Sequence, residues 1–289
     1  MHFVQAKGIL SAKNGMNLYR GCTHGCIYCD SRSECYQIKH TFEDIEIKEN
    51  AIELLETALR RKRNKCMIGT GSMTDPYMPL EGKIGMTRKA IKTVYRYGFG
   101  FTVITKSPLI LRDLELLQAV NKKAKCVVQM TLTTYNDKLC KILEPNVAVT
   151  SERFAVLKRL RDAGIPTIVW LTPILPFIND TIENIEGILQ YCIEAKVFGI
   201  ICFGMGLTLR DGSREFFYKN LDASFPGLKE TYMQRYGNSY SVMSPYNARL
   251  MNLFRTQCKE NGIEYNPNTI FSYLTAFEDK QQGGQLGLF

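Results

Sequence analysis

Cys22-Thr23-His24-Gly25-Cys26-Ile27-Tyr28-Cys29 sets three cysteines at Cys-x3-Cys-x2-Cys spacing within one tight loop. Thiolates gathered this closely read as metal ligands, and their number narrows the chemistry. A structural zinc site takes four protein ligands, whereas a cubane iron-sulfur cluster has four irons, so three thiolates leave one iron open to a non-protein ligand. The competing reading is a zinc knuckle completed by His24, Cys35 or His40. Gly21 and Gly25 let the chain wrap closely around a metal centre, and Tyr28 sets a flat, half-apolar ring between two of the ligands.

Upstream, residues 16–20 (Met-Asn-Leu-Tyr-Arg) alternate apolar and polar, predicting a first strand that delivers the cysteines at its C-terminal end. Downstream, helix is expected over 49–63, where Ile52, Leu55 and Leu59 form one stripe, and strand over 66–70. The alternation repeats, with helices over 87–97, 112–124, 151–163 and 181–195 and strands over 99–105, 126–132, 167–171 and 198–203. Six strands alternating with helices imply an α/β fold, a parallel sheet of right-handed βαβ units that curls toward an open barrel. Functional residues are then expected at the C-terminal ends of the strands.

A chain of 289 residues can bury a core of this size without disulfide staples. Its ten cysteines do not mark a secreted framework, because Met1 to Lys7 lack the apolar run of a signal peptide, and a reducing cytoplasm is expected. The longest apolar stretch, 168–178, is interrupted by Thr172, Pro173 and Pro176 and is shorter than the ~20 residues that span a bilayer, so no membrane partner is expected. A formal net charge of +9 favours polyanionic partners such as nucleic acid. Clusters such as Arg60-Arg61-Lys62-Arg63 also suit the solvated C-terminal ends of helices.

The cysteine spacing, with an aromatic before the last cysteine, resembles the radical S-adenosylmethionine (SAM) superfamily. Thr74-Asp75-Pro76-Tyr77, Ile104-Thr105-Lys106-Ser107, Arg112-Asp113 and Leu143-Glu144-Pro145 extend the likeness, over residues 16–205, to its spore photoproduct lyase-like branch of DNA repair enzymes. The resemblance implies a partial (β/α)6 TIM-like barrel of the radical SAM type, with a [4Fe-4S] cluster on Cys22, Cys26 and Cys29 and SAM on the fourth iron. It also implies cleavage of SAM to a 5′-deoxyadenosyl radical and an electron donor such as flavodoxin or ferredoxin. In the same terms Tyr28 lies near the adenine, Thr74 and Asp75 accept hydrogen bonds from the amino group of SAM, Lys106 contacts the SAM carboxylate and Thr131 contacts SAM. Ser72 stands in that loop where photoproduct lyases carry a hydrogen-donating cysteine, and Asp30 stands where they carry a tyrosine, which puts true photoproduct lyase activity in doubt. Cys35, in the polar loop after the cluster motif, is the candidate catalytic hydrogen-atom donor, whereas Cys66, Cys126 and Cys202 begin or lie in apolar strands and read as core.

The barrel is expected over 1–210 and a small C-terminal helical extension over 211–278. Arg210 and the aromatics Phe216, Phe217, Tyr218, Tyr232, Tyr236 and Tyr240 interleave as base-stacking residues do, and equally as residues that close a barrel. An amphipathic helix over 246–261 is expected to cover the open barrel. In the tail, 279–289, Gln281 to Gly284 form a tether, and Gln285, Leu286, Leu288 and Phe289 resemble the peptide by which proteins dock on the bacterial sliding clamp. These observations point to a radical SAM enzyme acting on damaged or modified DNA. The rivals are RNA or peptide modification, and a non-catalytic iron-sulfur module that binds nucleic acid.

Overall fold

The structure, a computed structural model, describes residues 1–280, and the clamp-type peptide with Gln285, Leu286, Leu288 and Phe289 lies outside them. Six parallel strands pair in sequence order: β1 (Gly15–Met16), β2 (Met67–Thr70), β3 (Gly100–Thr105), β4 (Cys126–Thr131), β5 (Thr167–Trp170) and β6 (Gly199–Ile201). Between them run α1 (Ala51–Arg61), α2 (Met86–Arg96), α3 (Leu114–Lys123), α4 (Thr150–Asp162) and α5 (Ile182–Glu194). This is the open α/β barrel expected from the alternation.

Period-two geometry divides each strand between two environments. Ile68, Phe101, Val103, Val128, Met130, Val169 and Ile200 pack outward against Leu55, Ile91, Leu117, Leu157 and Ile188 of the helices. The register, with Thr102 beside Val127, Ile104 beside Gln129 and Thr131 beside Trp170, places these residues on the inner face. Gln129 ties that face together, donating to Thr102 Oγ1 and accepting from Trp170 Nε1, both at 2.8 Å.

The first strand departs from expectation. Residues 16–20 do not form one strand: Met16 ends β1, and Tyr19–Arg20 pairs instead with Glu46–Lys48, which also pairs with His2–Val4 in a separate three-stranded sheet. Met16, Leu18 and Tyr19 are buried, so the alternation holds only as far as Leu18 and breaks at Tyr19, where the chain passes from one sheet to the other.

Beyond β6, Gly206–Thr208 pairs antiparallel with Ser241–Met243 around α6 (Ser213–Ser224) and α7 (Leu228–Tyr236). The expected covering helix, α8 (Asn247–Glu260), instead extends the outer ring, burying Leu250, Met251, Phe254 and Cys258 in the same core as Ile188 and Cys192 of α5. The inner face is filled by α9 (Pro267–Thr275), whose Ile270 and Leu274 meet Val127, Ile168 and Ile201. Gly199 permits this approach, because a Cβ there would stand 3.0 Å from Ile270 Cδ1 and 2.9 Å from the Glu264 carbonyl. Lys125, buried below, donates to the carbonyls of Tyr273 (2.7 Å) and Ala276 (3.2 Å) and pairs with Glu278 at 2.9 Å. Ile270→Ala is therefore expected to destabilise the chain by ~2–5 kcal/mol in denaturant melts, as a cavity left in a packed site does. The same change at exposed Asn268 should stay within ~0.5 kcal/mol.

Candidate active site

The cysteine loop is held by backbone hydrogen bonds to segments distant in sequence. Cys22 N donates to Phe42 O (3.0 Å), Ile27 N to Leu143 O (3.0 Å), and Asn146 N to His24 O (3.1 Å). Asn146 Nδ2 adds a bond to Thr23 O at 3.0 Å. Two glycines are required here. Gly21 has φ +86°, and a Cβ on it would overlap the Phe42 carbonyl oxygen; Gly25 has φ +71°, with Pro145 Cγ and Asn146 Nδ2 both 3.2 Å from where its Cβ would stand. The loop thereby turns Cys22, Cys26 and Cys29 into one cavity of about 560 Å³.

None of the three is in a disulfide. Burial pushes the Cys22 thiol up to about 11, with the Asp75 carboxylate adding to it, and burial pushes Cys26 higher still. Burial thus favours the neutral thiol at Cys22 and Cys26, and a bound metal would supply the positive charge that makes them thiolates. Three soft donors in one cavity fit an iron-sulfur cluster. The candidates for a fourth zinc ligand do not converge: Cys35 is exposed with its Sγ 3.3 Å from Arg210 Nη1, and His40 faces Thr41 O and Glu46. His24 does line the cavity, but its Nδ1 lies 3.5 Å from Asp75 Oδ2.

Asp75 joins three segments. Its Oδ1 accepts from Tyr77 N (2.8 Å) and Thr105 Oγ1 (2.7 Å), and its Oδ2 from Lys106 N (2.7 Å). With three donors and His24 already around it, this carboxylate clamps the end of β3 to the loop after β2. Gly71, at φ +101°, lays that loop on β3, where a Cβ would overlap the Ile104 carbonyl. Ser72, Thr74, Lys106 and Thr131 all line the cavity, Thr74 and Thr131 buried and Ser72 exposed.

Behind the cysteines lies a charged network. The Tyr28 hydroxyl donates to Glu144 Oε1, and Arg153 Nη2 donates to Glu144 Oε2. Arg153, fully buried, also donates to the carbonyls of Thr131 (3.0 Å) and Ala148 (2.8 Å). Burial opposes the Glu144 charge, but Arg153, with Lys106 nearby, overcomes it and holds the carboxyl below the usual carboxylate range. Burial likewise opposes the Lys106 ammonium, and the surrounding negative charge, to which Cys26 adds only as a thiolate and Glu144 and Asp75 add as carboxylates, outweighs it and pushes its pKa up. Its Nζ lies 5.8 Å from the centre of the Tyr28 ring. Tyr28 is thus fixed at both its ring and its hydroxyl.

The same cavity is also lined by Trp170, Thr172, Pro173, Phe203, Arg210, Tyr240 and Met243. Phe203 is 62% exposed and meets Trp170 and Phe271, with ring centres 6.2 and 6.3 Å away. The Arg210 guanidinium donates to Tyr240 Oη (3.0 Å) and stands 3.4 Å from Asp30 Oδ1. Cys35 lies outside the lining, on the other side of Arg210. Of the aromatics from 216 to 240, Phe217 and Tyr232 are fully buried and pack with Leu207 and Val242 against Cys26, Ile27 and Tyr28, whereas Tyr240 faces the cavity. Glu144 and Arg153 were not singled out from sequence as site residues. The available signal was Arg153 on the same helical stripe as Val156, Leu157 and Leu160, since a cation on an apolar face has to be paired.

Comparison with known proteins agrees with this geometry. The profile of the radical SAM superfamily matches residues 16–192. An uncharacterised protein of Methanocaldococcus jannaschii is 30% identical over 238 residues, which is 82% of this chain and 81% of that protein. An uncharacterised protein of Mycobacterium tuberculosis is 28% identical over 234 residues, 76% of this chain, and the chain spans 66% of that relative's length. Among solved structures, a spore photoproduct lyase variant with AdoMet and a dinucleoside spore photoproduct shares the fold, with a TM-score of 0.62 at 14% identity over 87% of this chain and 75% of that one. Family profile, cysteine loop and open barrel together make this chain a member of the radical SAM superfamily of enzymes, which work with a [4Fe-4S] cluster and SAM.

Proposed function

We propose that the chain cleaves SAM reductively and acts on a nucleotide of damaged or modified DNA. The observation that carries this reading is a single cavity lined both by the cysteines and Lys106 and by exposed Phe203 and Tyr240 with half-buried Arg210. Aromatic faces and a guanidinium are what an extruded base and its phosphate need. Two comparisons lend support: the structural neighbour was solved with a dinucleoside lesion, and a Pseudomonas phage M6 protein named radical SAM Nalpha-GlyT isomerase is 24% identical over 166 residues, 57% of this chain and 34% of that protein.

Cys22, Cys26 and Cys29 would hold the cluster, which when reduced supplies the electron that cleaves SAM. Lys106 presents an ammonium to a carboxylate, while Ser72, Thr74 and Thr131 present hydroxyls to the methionine end. Asp75 keeps the Lys106 backbone in place and so positions that ammonium. Tyr28, anchored by Glu144, offers a fixed ring edge toward an adenine. Trp170 and Phe203 offer aromatic faces to a base, and Arg210 takes the backbone of the nucleic acid. An electron donor such as flavodoxin or ferredoxin has to reduce the cluster. The Gln285, Leu286, Leu288 and Phe289 segment supports, from its sequence, docking to a sliding clamp.

Anaerobically reconstituted protein is expected to bind four irons and release 5′-deoxyadenosine from SAM with a reductant, and alanine at Cys22, Cys26 or Cys29 should abolish both. Stoichiometric zinc with no iron, in protein offered both metals, would overturn the assignment. Damaged DNA oligonucleotides should raise 5′-deoxyadenosine release more than matched RNA, and Arg210→Ala should weaken DNA binding and flatten its salt dependence; equal stimulation by RNA rejects the DNA substrate.

Lys106→Ala should weaken SAM binding by ~1.5–3 kcal/mol in equilibrium dialysis and leave the cluster absorption unchanged, with a lower melting temperature because Glu144 and Asp75 lose a neighbouring cation. Asp75→Asn presents an amide donor to other donors and should lower stability by ~1–3 kcal/mol as well as SAM affinity. If Asp75→Asn melts like the parent, its clamping role fails. A peptide of residues 279–289 is expected to bind a bacterial sliding clamp at about micromolar Kd by calorimetry, with Leu288→Ala and Phe289→Ala each abolishing the heat.

A further inference from the structure

We propose that His2, His40 and Glu46 form a site for one divalent ion of the zinc class, separate from the cysteine loop. The residues come from three segments of the small sheet region. His2 lies directly opposite Glu46 in a parallel strand pair, and His40 belongs to the connection from the cysteine loop to the Glu46 strand. One ligand atom of each lies within 4.8 Å of the other two. Bonds of about 2.0–2.1 Å to nitrogen and oxygen set ligand atoms ~3.3–4 Å apart across an ion. His40 Nε2 and Glu46 Oε2 already stand 3.7 Å apart.

Both rings are oriented as metal-bound histidines are. His2 Nδ1 lies 3.0 Å from Asp44 Oδ2, and His40 Nδ1 lies 3.0 Å from the Thr41 carbonyl. An oxygen acceptor behind Nδ1 fixes the tautomer and leaves Nε2 as the lone-pair nitrogen. The rings meet edge to face, centres 4.9 Å apart. His40 Nε2 is shielded from water and has no hydrogen-bond partner, since 3.7 Å from Glu46 is beyond hydrogen-bond range. An ion between the two satisfies that orphaned nitrogen and the carboxylate together. Arg20, opposite Glu46 across the antiparallel pair, does not compete: its guanidinium goes to the carbonyls of Tyr36 and Gln37. Two imidazoles and a carboxylate suit zinc or a similar borderline ion, with water as the fourth ligand.

Such an ion braces the active site without entering it. The segment between His40 and Glu46 carries Phe42, whose carbonyl accepts from Cys22 N at 3.0 Å and whose ring lies under the Arg32 guanidinium, 4.4 Å away. Fixing its two ends fixes the backbone partner of the first cluster ligand.

The test uses the full chain with its iron-sulfur cluster reconstituted, equilibrated with Zn²⁺ and passed through a desalting column under nitrogen. One zinc is expected in addition to the cluster iron, together with a melting temperature that rises with added Zn²⁺. By competition with a chromophoric chelator, Asp44→Asn should weaken zinc about 10–100-fold, and His2→Ala, His40→Ala and Glu46→Gln should each remove retained zinc and the thermal shift. If His40→Ala does not fold, half-exposed His2 and Glu46→Gln carry the comparison. No zinc beyond buffer controls overturns the site. So does zinc that survives all three ligand substitutions, or that is lost only when the cysteines are replaced. None of these readouts depends on SAM cleavage.

Discussion

Glu144 and Arg153, a carboxylate and a guanidinium with no access to water, fix the position of the cysteine loop. Two charges taken out of water are tolerated only when their remaining polar atoms are also satisfied. Here Glu144 takes Tyr28 and Arg153, and Arg153 takes the Thr131 and Ala148 carbonyls. The pair therefore connects the cysteine loop, the end of β4 and the first turn of α4 in one step. Removing either member leaves an unpaired buried charge, at about 3–5 kcal/mol. Removing Glu144 also frees Tyr28, the residue next to Cys29, so stability and the geometry of the cysteine loop rest on the same contact.

The barrel supports this centre by separating two jobs along its axis. Its lower inner face is filled with Ile270, Leu274, Val127 and Ile168, and Lys125 anchors the closing segment there. Above them Gln129, bonded to Thr102 and Trp170, marks the change to the polar cavity. A rigid floor of this kind lets the rim be built from loops. Those loops supply hydroxyls, an ammonium and aromatic rings around the cysteines without being needed for the core.

Asp75 has a structural task beside the one its chemistry suggests. A carboxylate at the end of a strand invites an ammonium ligand. In the folded chain its oxygens also accept from Tyr77, Thr105 and Lys106 donors, so it ties the Lys106 backbone to the loop after β2. The aromatic-rich segment behaves similarly. Phe217 and Tyr232 follow the packing alternative, against the back of the cysteine loop, while Tyr240 and Arg210 reach the cavity. Sequence spacing does not separate the two groups, because the segment folds back on itself through α6 and α7.

The sequence by itself determined the cysteine loop and the alternation of strands and helices. Cys22, Cys26 and Cys29 are adjacent in the chain, and a period of two or 3.6 is a local property. It also placed Ser72, Thr74, Lys106 and Thr131 at strand ends, which a parallel barrel gathers at one rim. Only the tertiary structure decided that residues 16–20 divide between two sheets, that α9 and not α8 fills the barrel, and that Arg153 turns inward to Glu144. It alone brought His2, His40 and Glu46 together. These outcomes share a physical cause: each depends on which distant partner satisfies a buried polar group or an apolar face. That choice is made by packing across dozens of residues, where a local pattern carries no information.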